Sequence, residues 1–233
     1  MKYAVVTGGS RGIGRAIVLK LAKEGFQLAI ASRSQEKLSQ ISEEIKALNA
    51  DIQFFTSSTD MSVKSEVKAF ADKVLEKGTP DVLVNNAGAF IMGQISNEEE
   101  GVLEKQIETN VYSAYHLTRA LLPKMMEQKS GHIFNMCSIA SLMAYTSGSS
   151  YTISKFALLG FSKALREELK PHQIKVTSIM PGAVMSDSWA GSDIDPERIM
   201  KSEDIADMVL AMYKLAPQTV VENIVLRPQL GDL

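Results

Sequence analysis

The chain has 233 residues, of which 45% are hydrophobic and 22% charged, and its 25 basic and 27 acidic residues leave a formal net charge of −2. This composition predicts a globular protein with one sizeable core, and the near-neutral balance argues against a protein that coats nucleic acid or an anionic membrane. The single cysteine, Cys137, excludes an intrachain disulfide and fits a reducing compartment. No uninterrupted apolar run approaches the roughly 18 residues of a membrane span, so we expect a cytoplasmic protein that does not bind membranes.

Short apolar runs alternate with amphipathic stretches along the whole chain. Most of the runs lack the alternation of a strand with one wet face, which indicates parallel strands buried on both faces. The pattern therefore predicts an α/β fold: one domain over residues 1–233, with a doubly wound parallel sheet of about seven strands flanked by helices. The predicted strands are 3–7, 27–31, 52–56, 82–85, 132–136, 175–180 and 221–226.

Helical patterns fill the segments between these strands. The first helix is expected from about Arg15, the longest over 101–128 and another over 151–169, while Ser202 is expected to cap the last helix. The acidic run 97–100 is interpreted as a solvated turn that the dipole of the following helix favours, not as a metal site.

A glycine-rich turn, Gly8 to Gly14, directly follows the first predicted strand and opens a helix. A strand, a glycine turn and a helix start together form an anion site, because free backbone N–H groups converge there. A P-loop is excluded because Arg15 and Ala16 stand where it needs Lys and Ser or Thr, and the turn departs from G-x-G-x-x-G in favour of G-x3-G-x-G. Taken alone, the turn fits a nucleotide site or a simple connection between elements.

Further motifs follow this turn in a fixed order. With the TGxxxGxG turn they resemble the short-chain dehydrogenase/reductase family in its compact form, over essentially the whole chain, and the resemblance implies a Rossmann-type fold. The motifs are Asn85-Asn86-Ala87-Gly88 after the fourth strand, Asn110 in the longest helix, Ser138 after the fifth strand, Tyr151-x3-Lys155 thirteen residues later, and Pro181-Gly182 after the sixth strand.

The resemblance implies a catalytic Ser138–Tyr151–Lys155 triad supported by Asn110, which would anchor a water in a proton relay. Tyr151 and Lys155 are four residues apart on a predicted helix and would share a face at about 5–6 Å. A lysine charge at about 5 Å, with an effective dielectric near 20, favours the phenolate by roughly 3 kcal/mol, which suits a general acid/base. Each residue taken singly also has a structural interpretation: a chance Tyr–Lys pair, or a serine that caps a strand end.

The cofactor that the resemblance implies is NADP(H). The second strand is followed by Ser32-Arg33 and lacks the acid that would bind the ribose 2′-OH of NAD, whereas Arg33 and Arg11 suit a 2′-phosphate. Alternatively, Arg33 is a solvated loop cation. The cofactor contacts implied are Gly8, Ser10, Arg11, Gly12, Ile13, Gly14, Arg33, Asp60 at the adenine ring, Asn86, Ala87, Gly88, Tyr151, Lys155, Pro181, Gly182 and Val184.

The function that the resemblance implies is NADPH-dependent interconversion of a carbonyl and a secondary alcohol on a small molecule. It also implies that residues 183–201, including Trp189, cover the substrate. The chain's ending resembles that of bacterial sepiapterin reductases, so reduction of a pterin side-chain carbonyl is one alternative, and reduction of a 3-oxoacyl carrier protein is another. A non-catalytic NADP-binding sensor or scaffold is the rival from a different class. We expect no metal, because the three histidines lack ligand spacing. The resemblance also implies a homodimer or homotetramer assembled through 101–128 and 151–169.

Overall fold

A computed structural model describes residues 1–185 and 195–231, and its strands form one parallel sheet in the order β3-β2-β1-β4-β5-β6-β7. The strands are β1 (Tyr3–Thr7), β2 (Gln27–Ser32), β3 (Phe54–Ser58), β4 (Val82–Asn85), β5 (Gly131–Met136), β6 (Ile174–Pro181) and β7 (Asn223–Leu226). The predicted doubly wound parallel sheet is confirmed, and β1, a continuous apolar run, is buried on both faces.

Helices cover both faces of the sheet. They are α1 (Gly12–Lys23), α2 (Gln35–Leu48), α3 (Lys64–Lys77), α4 (Val102–Ile107), α5 (Ser113–Gln128), α6 (Ser149–Leu169) and α7 (Ser202–Tyr213). Ile17, Leu38 and Ile205 bring α1, α2 and α7 into one core, whereas Leu117 and Leu165 bring α5 and α6 into the core on the other face, with α3. Within the described residues, none of these helices has the length and hydrophobicity needed to cross a bilayer.

The sheet order reverses beside β1, which pairs with β2 on one side and with β4 on the other. In a doubly wound sheet a crevice opens at this reversal, outside the carboxyl ends of the strands. The turns after the two strands are joined there. The Thr7 hydroxyl oxygen accepts from the backbone N–H of Asn86 at 3.0 Å and of Ala87 at 2.9 Å, and Asn86 Nδ2 donates to the Thr7 carbonyl at 2.9 Å.

The strand predicted at 52–56 was placed two residues early. Ile52 N donates to Asn49 O in a turn, and the pairing with β2 runs from Leu28↔Phe54 to Ser32↔Ser58. The register with the buried strand β2, rather than the apolar residues themselves, sets where β3 begins and ends. The shift brings the following residue pair, Thr59 and Asp60, to the carboxyl edge of the sheet.

The helical region predicted over 101–128 is present and contiguous, and it contains a π-helical segment, Glu108–Tyr112, between α4 and α5. Two other helix predictions were wrong. α1 begins at Gly12, inside the glycine turn, rather than at about Arg15. Ser202 does not cap α7: the N-cap is Lys201, and the Ser202 hydroxyl donates to Met185 O at 2.9 Å.

The described residues include both ends of the segment expected to cover the substrate. Met185 N donates to Met200 O at 2.8 Å and Met200 N donates to Ala183 O at 3.1 Å, so the two ends of this segment are paired. Trp189 lies outside the described residues.

Candidate active site

A cleft of about 220 Å³ opens at the carboxyl edge of the sheet, where the order reverses. It brings together residues that are far apart in the chain: the glycine turn, the end of β2, the residues after β3 and those after β4. The lining residues are Gly8, Arg11, Gly12, Ile13, Gly14, Ser32, Arg33, Thr59, Asp60, Met61, Asn86, Ala87, Gly88 and Thr109.

The glycine turn presents the start of α1 to this cleft. No side chain caps α1 and its first turn contains no acidic residue, so its N-terminal N–H groups and the positive end of its dipole are available to an anion. Gly8 has φ +64°, a conformation that favours glycine. A Cβ on Gly14 would lie 2.2 Å from Gly8 O, so Gly14 allows the helix to pack closely on its own turn rather than clearing space for a ligand.

Arg11 and Arg33 are both exposed at the rim of the cleft. Partial burial opposes ionisation of the neighbouring Asp60, but two hydrogen bonds from Ser62 and the charge of Arg33 outweigh it, so the pKa of Asp60 lies below its usual range. The Ser62 bonds, from its N–H at 2.9 Å and its hydroxyl at 2.7 Å, hold the Asp60 carboxylate in place. The cleft therefore offers both a cationic rim and a fixed acceptor.

A second group of polar side chains adjoins the cleft around α6. Lys155 is 5% exposed, and its Nζ donates to Met136 O at 2.8 Å while lying 5.6 Å from the centre of the Tyr151 ring. The spacing predicted from the sequence thus places the ammonium beside the half-buried phenol. The bond to a β5 carbonyl fixes the lysine from the sheet side.

Asn110 lies in the π-helical segment and is 1% exposed. Its Nδ2 donates to Ala89 O and to Ser154 Oγ, both at 2.9 Å, and its Oδ1 accepts from Ala89 N at 2.7 Å. Ser154 Oγ in turn donates to Tyr151 O at 2.7 Å. Asn110 therefore ties the chain after β4 to the helix turn that carries Tyr151.

Ser138 caps a short 3-10 turn directly after β5. Its hydroxyl oxygen accepts from Ala140 N at 3.1 Å, and its own N–H donates to Ser141 Oγ at 3.3 Å. Ser141 Oγ donates to Lys155 O at 2.8 Å, so a buried hydroxyl links the backbone of Ser138 to that of Lys155.

Gly88 joins the cleft to this polar group. A Cβ placed on Gly88 would lie 3.1 Å from Asn110 Oδ1 and 3.6 Å from Lys155 Nζ. Gly88 also lines the cleft, so a ligand that extends along the cleft to Gly88 would lie beside Lys155.

Six residues expected to contact a cofactor do not line the cleft. Tyr151 and Lys155 belong to the adjoining polar group, and the other four are Ser10, Pro181, Gly182 and Val184. Ser10 is 6% exposed and its hydroxyl lies 2.6 Å from that of Ser32, within the turn. Pro181 ends β6, Gly182 N donates to Leu226 O at 2.8 Å, and Val184 is 6% exposed in the core.

The sequence analysis did not identify two serines whose hydroxyls join this polar group. Ser141 and Ser154 are buried and join Ser138, Tyr151 and Lys155, but serines are common and neither stands in a recognised spacing. Cys137, which follows β5, is 3% exposed, and burial raises the pKa of its thiol. Among the described residues, no group of three histidine, cysteine or acidic side chains lies close enough to hold a metal ion.

A larger cavity, of about 900 Å³, lies at the opposite edge of the sheet. Lys129, Arg166 and Lys175 line it, but it is at the amino ends of β5 and β6. Ligands of doubly wound sheets bind at the carboxyl ends, so the smaller cleft is the candidate site.

The arrangement around Gly88 can exchange a proton. A phenol beside a buried ammonium, close to the cleft at the start of α1, has the chemistry of a general acid.

Comparison with known proteins identifies relatives of the whole chain. The family model described as short chain dehydrogenase matches residues 2–196. The sepiapterin reductase of Chlorobaculum tepidum is 35% identical, over 100% of this chain and 99% of its own. A metagenomic short-chain oxidoreductase solved in complex with NADP is 34% identical with a TM-score of 0.85, covering 98% of this chain and 97% of its own.

The alcohol dehydrogenase of Thermococcus sibiricus, solved with 5-hydroxy-NADP, is 31% identical with a TM-score of 0.90 and the same coverage. The family match covers most of the chain, and these relatives extend over nearly all of it. The parallel seven-stranded sheet agrees with the match, and the chain belongs to the short chain dehydrogenase family.

Proposed function

We propose that this protein reduces a carbonyl group on a small molecule to a secondary alcohol with NADPH, and catalyses the reverse oxidation. The observation that carries the proposal is the buried Lys155 ammonium, held 2.8 Å from Met136 O and 5.6 Å from the Tyr151 ring centre. Burying the Lys155 ammonium costs free energy. Its position beside Tyr151 has a function if the ammonium stabilises the phenolate of that tyrosine during proton transfer.

The residues of the cleft fit the proposed cofactor. The uncapped start of α1 suits the pyrophosphate, and Arg11 and Arg33 suit the 2′-phosphate that distinguishes NADP from NAD. The acceptor Asp60 lies at the same rim, where it suits the adenine amino group. Solved relatives in complex with NADP and with 5-hydroxy-NADP support the choice.

NADPH, when bound, supplies the hydride that reduces the carbonyl carbon. Tyr151 gives its hydroxyl proton to the carbonyl oxygen, and the Lys155 charge stabilises the phenolate that remains. Ser138 orients the same oxygen: because Ser138 Oγ accepts from Ala140 N, its own hydroxyl proton is free to be donated to substrate. Asn110 Oδ1 keeps a second lone pair with which it can hold a water of a proton relay to Lys155.

Apolar side chains are exposed on the loop after β4 and on the segment before α6. Phe90 is 49% exposed, and Met92, Leu142 and Met143 are also exposed on the neighbouring loops. These side chains favour a flat or apolar substituent on the carbonyl compound. Sepiapterin is the first substrate to test because a sepiapterin reductase is 35% identical over the whole chain, and a 3-oxoacyl thioester is the second.

The experiment combines a substrate panel with one substitution. Purified protein is given NADPH with sepiapterin, diketones, aldehydes and 3-oxoacyl thioesters, and oxidation of NADPH is followed by absorbance. Tyr151→Phe should retain NADPH binding and lose at least about a hundredfold in kcat, because general acid catalysis contributes that much or more. Tyr213→Phe, which removes a hydroxyl at the end of α7, in the cavity at the amino ends of the strands, is the matched control and should keep wild-type activity. NADPH binding without reduction of any substrate would favour the sensor or scaffold.

We also propose a homodimer or homotetramer with α5 and α6 at the interface. Apolar side chains lie exposed on these helices and beside them, where a monomer would leave them in water. They are Tyr112, Tyr115, Ile153 and Phe156.

A further inference from the structure

The loop after β4 is paired with the segment that leads into α6. Gly93 N donates to Ser147 O at 2.9 Å, and Ser149 N donates to Gly93 O at 3.2 Å. These bonds form a short parallel bridge between Gly93 and Gly148, three residues before Tyr151. The loop therefore holds the first turn of the helix that carries the proposed acid.

A side chain reinforces this pairing. The Ser150 hydroxyl, 1% exposed, donates to Glu98 Oε1, and Glu98 Oε2 is buried without a hydrogen-bond partner among the described residues. A Cβ on Gly93 would lie 2.7 Å from Glu98 Cβ, so the loop closes tightly around the glutamate. The acidic run 97–100, interpreted from the sequence as a solvated turn, therefore contributes one carboxylate to the interior.

This carboxylate supplies what the start of α6 lacks. The N-cap residue is Gly148, no side chain caps the helix, and its first turn contains no acidic residue. An anion near a helix N-terminus is stabilising, and Glu98 provides one from a distant part of the chain. Burying the Glu98 carboxylate with one oxygen unpaired costs free energy. A glutamate that served only to keep the surface soluble would be exposed to water instead.

The loop also places an aromatic wall against Tyr151. The ring of Phe90 meets the ring of Tyr151 edge to face, with centroids 4.9 Å apart and an interplanar angle of 82°. A Cβ on Gly148 would lie 3.1 Å from Phe90 Cε2, so Phe90 packs on the same paired segment. The Tyr151 ring is thus held between Phe90 and the Lys155 ammonium.

We propose that Glu98 is a positioning residue: by accepting from Ser150 it clamps the loop of residues 89–98 onto the start of α6 and fixes Tyr151 against Phe90. This inference rests on the proposed function, since it concerns the geometry of the same phenol. Loss of the clamp leaves the cofactor cleft intact and lets Tyr151 depart from the position in which proton transfer is fast. Misplacement of a reacting group by about 1 Å can cost a hundredfold in rate.

The test compares four single variants and the double variant that combines Glu98→Ala with Ser150→Ala. Glu98→Ala removes the acceptor, Glu98→Gln keeps an oxygen for Ser150, and Ser150→Ala removes only the donor hydroxyl. Glu99→Ala is the matched control because it removes the same charge from the exposed neighbouring position. The measurements are kcat, KM and the Kd of NADPH, together with hydrogen–deuterium exchange of the amides in residues 147–152, which needs no turnover.

We expect Glu98→Ala and Ser150→Ala each to lower kcat by about tenfold to a hundredfold and to increase exchange in residues 147–152. The Kd of NADPH should stay within about twofold of wild type, Glu98→Gln should recover most of kcat, and the double alanine variant should be no worse than either single one. Exchange equal to that of Glu99→Ala would overturn the inference, as would increased exchange with unchanged kcat. Absence of carbonyl reduction by the wild type would instead refute the proposed function, while the exchange measurement would still decide whether the clamp exists.

Discussion

Two arginines at the rim of the cleft set the expected choice between NADP and NAD. β2 ends at Ser32 and is followed by Arg33, so a cation occupies the region where an acid would bind the 2′-OH of NAD. Arg33 also acts on the neighbouring Asp60, whose pKa its charge helps to lower. The exposed position of Arg33 keeps it well hydrated when no anion is present, so its full effect requires a bound phosphate.

Replacement of Arg33 by alanine should therefore discriminate between the two coenzymes. A charge-assisted hydrogen bond contributes about 1.5–3 kcal/mol, so Arg33→Ala should raise the KM for NADPH about tenfold to a hundredfold and leave that for NADH within about twofold. Steady-state kinetics with both coenzymes measures the two effects. Lys37→Ala, in the first turn of α2, is the control, and equal changes for NADPH and NADH would show that Arg33 is a solvated loop cation.

The sequence predicted that Tyr151 and Lys155 lie side by side, but it did not predict the hydrogen bonds that fix the backbone around them. Tyr151 and Lys155 could be predicted because a spacing of four on a helix fixes their relative position before any tertiary structure is known. Glu98 and Ser150 are 52 residues apart, and no local pattern relates them. The same is true of Ser141, whose hydroxyl reaches Lys155 O only because the chain turns sharply after β5.

At the scale of helices and strands, the sequence did not predict where regular periodicity is interrupted. Apolar residues every three or four positions indicated one helix over 101–128, but the π-helical segment Glu108–Tyr112 lies within it. Such a segment accommodates an extra residue without ending the helix, so the apolar pattern on either side hardly changes. The segment carries Asn110, and π-helical turns of this kind are frequent at functional sites.

Strand β5 also carries a buried histidine that joins neighbouring strands. His132 is 2% exposed, and its Nε2 lies 2.7 Å from Thr177 Oγ1 in β6. Thr177 donates its hydroxyl proton to Val221 O at 2.6 Å, so His132 Nε2 must be the donor in the first bond. Burial, with a smaller contribution from the charge of Lys175, lowers the pKa of His132 to about 3.

This histidine should make stability fall in mild acid. The unfolded chain binds a proton on His132 near pH 6.5 and the folded protein only near pH 3, so between these values unfolding takes up a proton and stability decreases as pH falls. The loss from this group is about 2 kcal/mol between pH 6.5 and 5, and none is expected above pH 6.5. Urea unfolding at several pH values measures it. His132→Asn should remove this part of the slope, whereas His172→Asn should not; an unchanged slope in His132→Asn would show that other groups cause the acid lability.

For the whole molecule, the sheet could be predicted because its central strands are buried on both faces. The continuous apolar runs of β1 and β4 admit few other interpretations. The errors in strand bounds are largest at the two edges: β3 was predicted two residues early and β7 begins at Asn223 rather than at residue 221. Edge strands pair on one side only and are less buried, so their sequences are less constrained by the core.

Prediction of the fold does not say what covers the outer surface of α5 and α6. Ile153 and Phe156 lie three residues apart on α6, 42% and 48% exposed, and Tyr115 of α5 contacts Phe161 of α6 with ring centroids 5.9 Å apart. Residues three apart share a helix face, so these side chains form one apolar surface across the two helices. A second copy of the chain would bury this surface and leave the cleft at the carboxyl edge open.

Phe156→Glu should therefore convert the assembly to a smaller species. A charge placed in a closely packed apolar interface costs several kcal/mol unless it is paired, which at micromolar concentration is enough to dissociate a dimer. Light scattering coupled to size-exclusion chromatography measures the mass, with Leu48→Glu, an exposed leucine at the end of α2, as the control for added charge. A wild type that is monomeric at these concentrations would contradict the proposed assembly. A Phe156→Glu variant with the wild-type mass would instead exclude α6 from the interface and direct attention to the exposed edge strand β7, whose Val225 is 47% exposed.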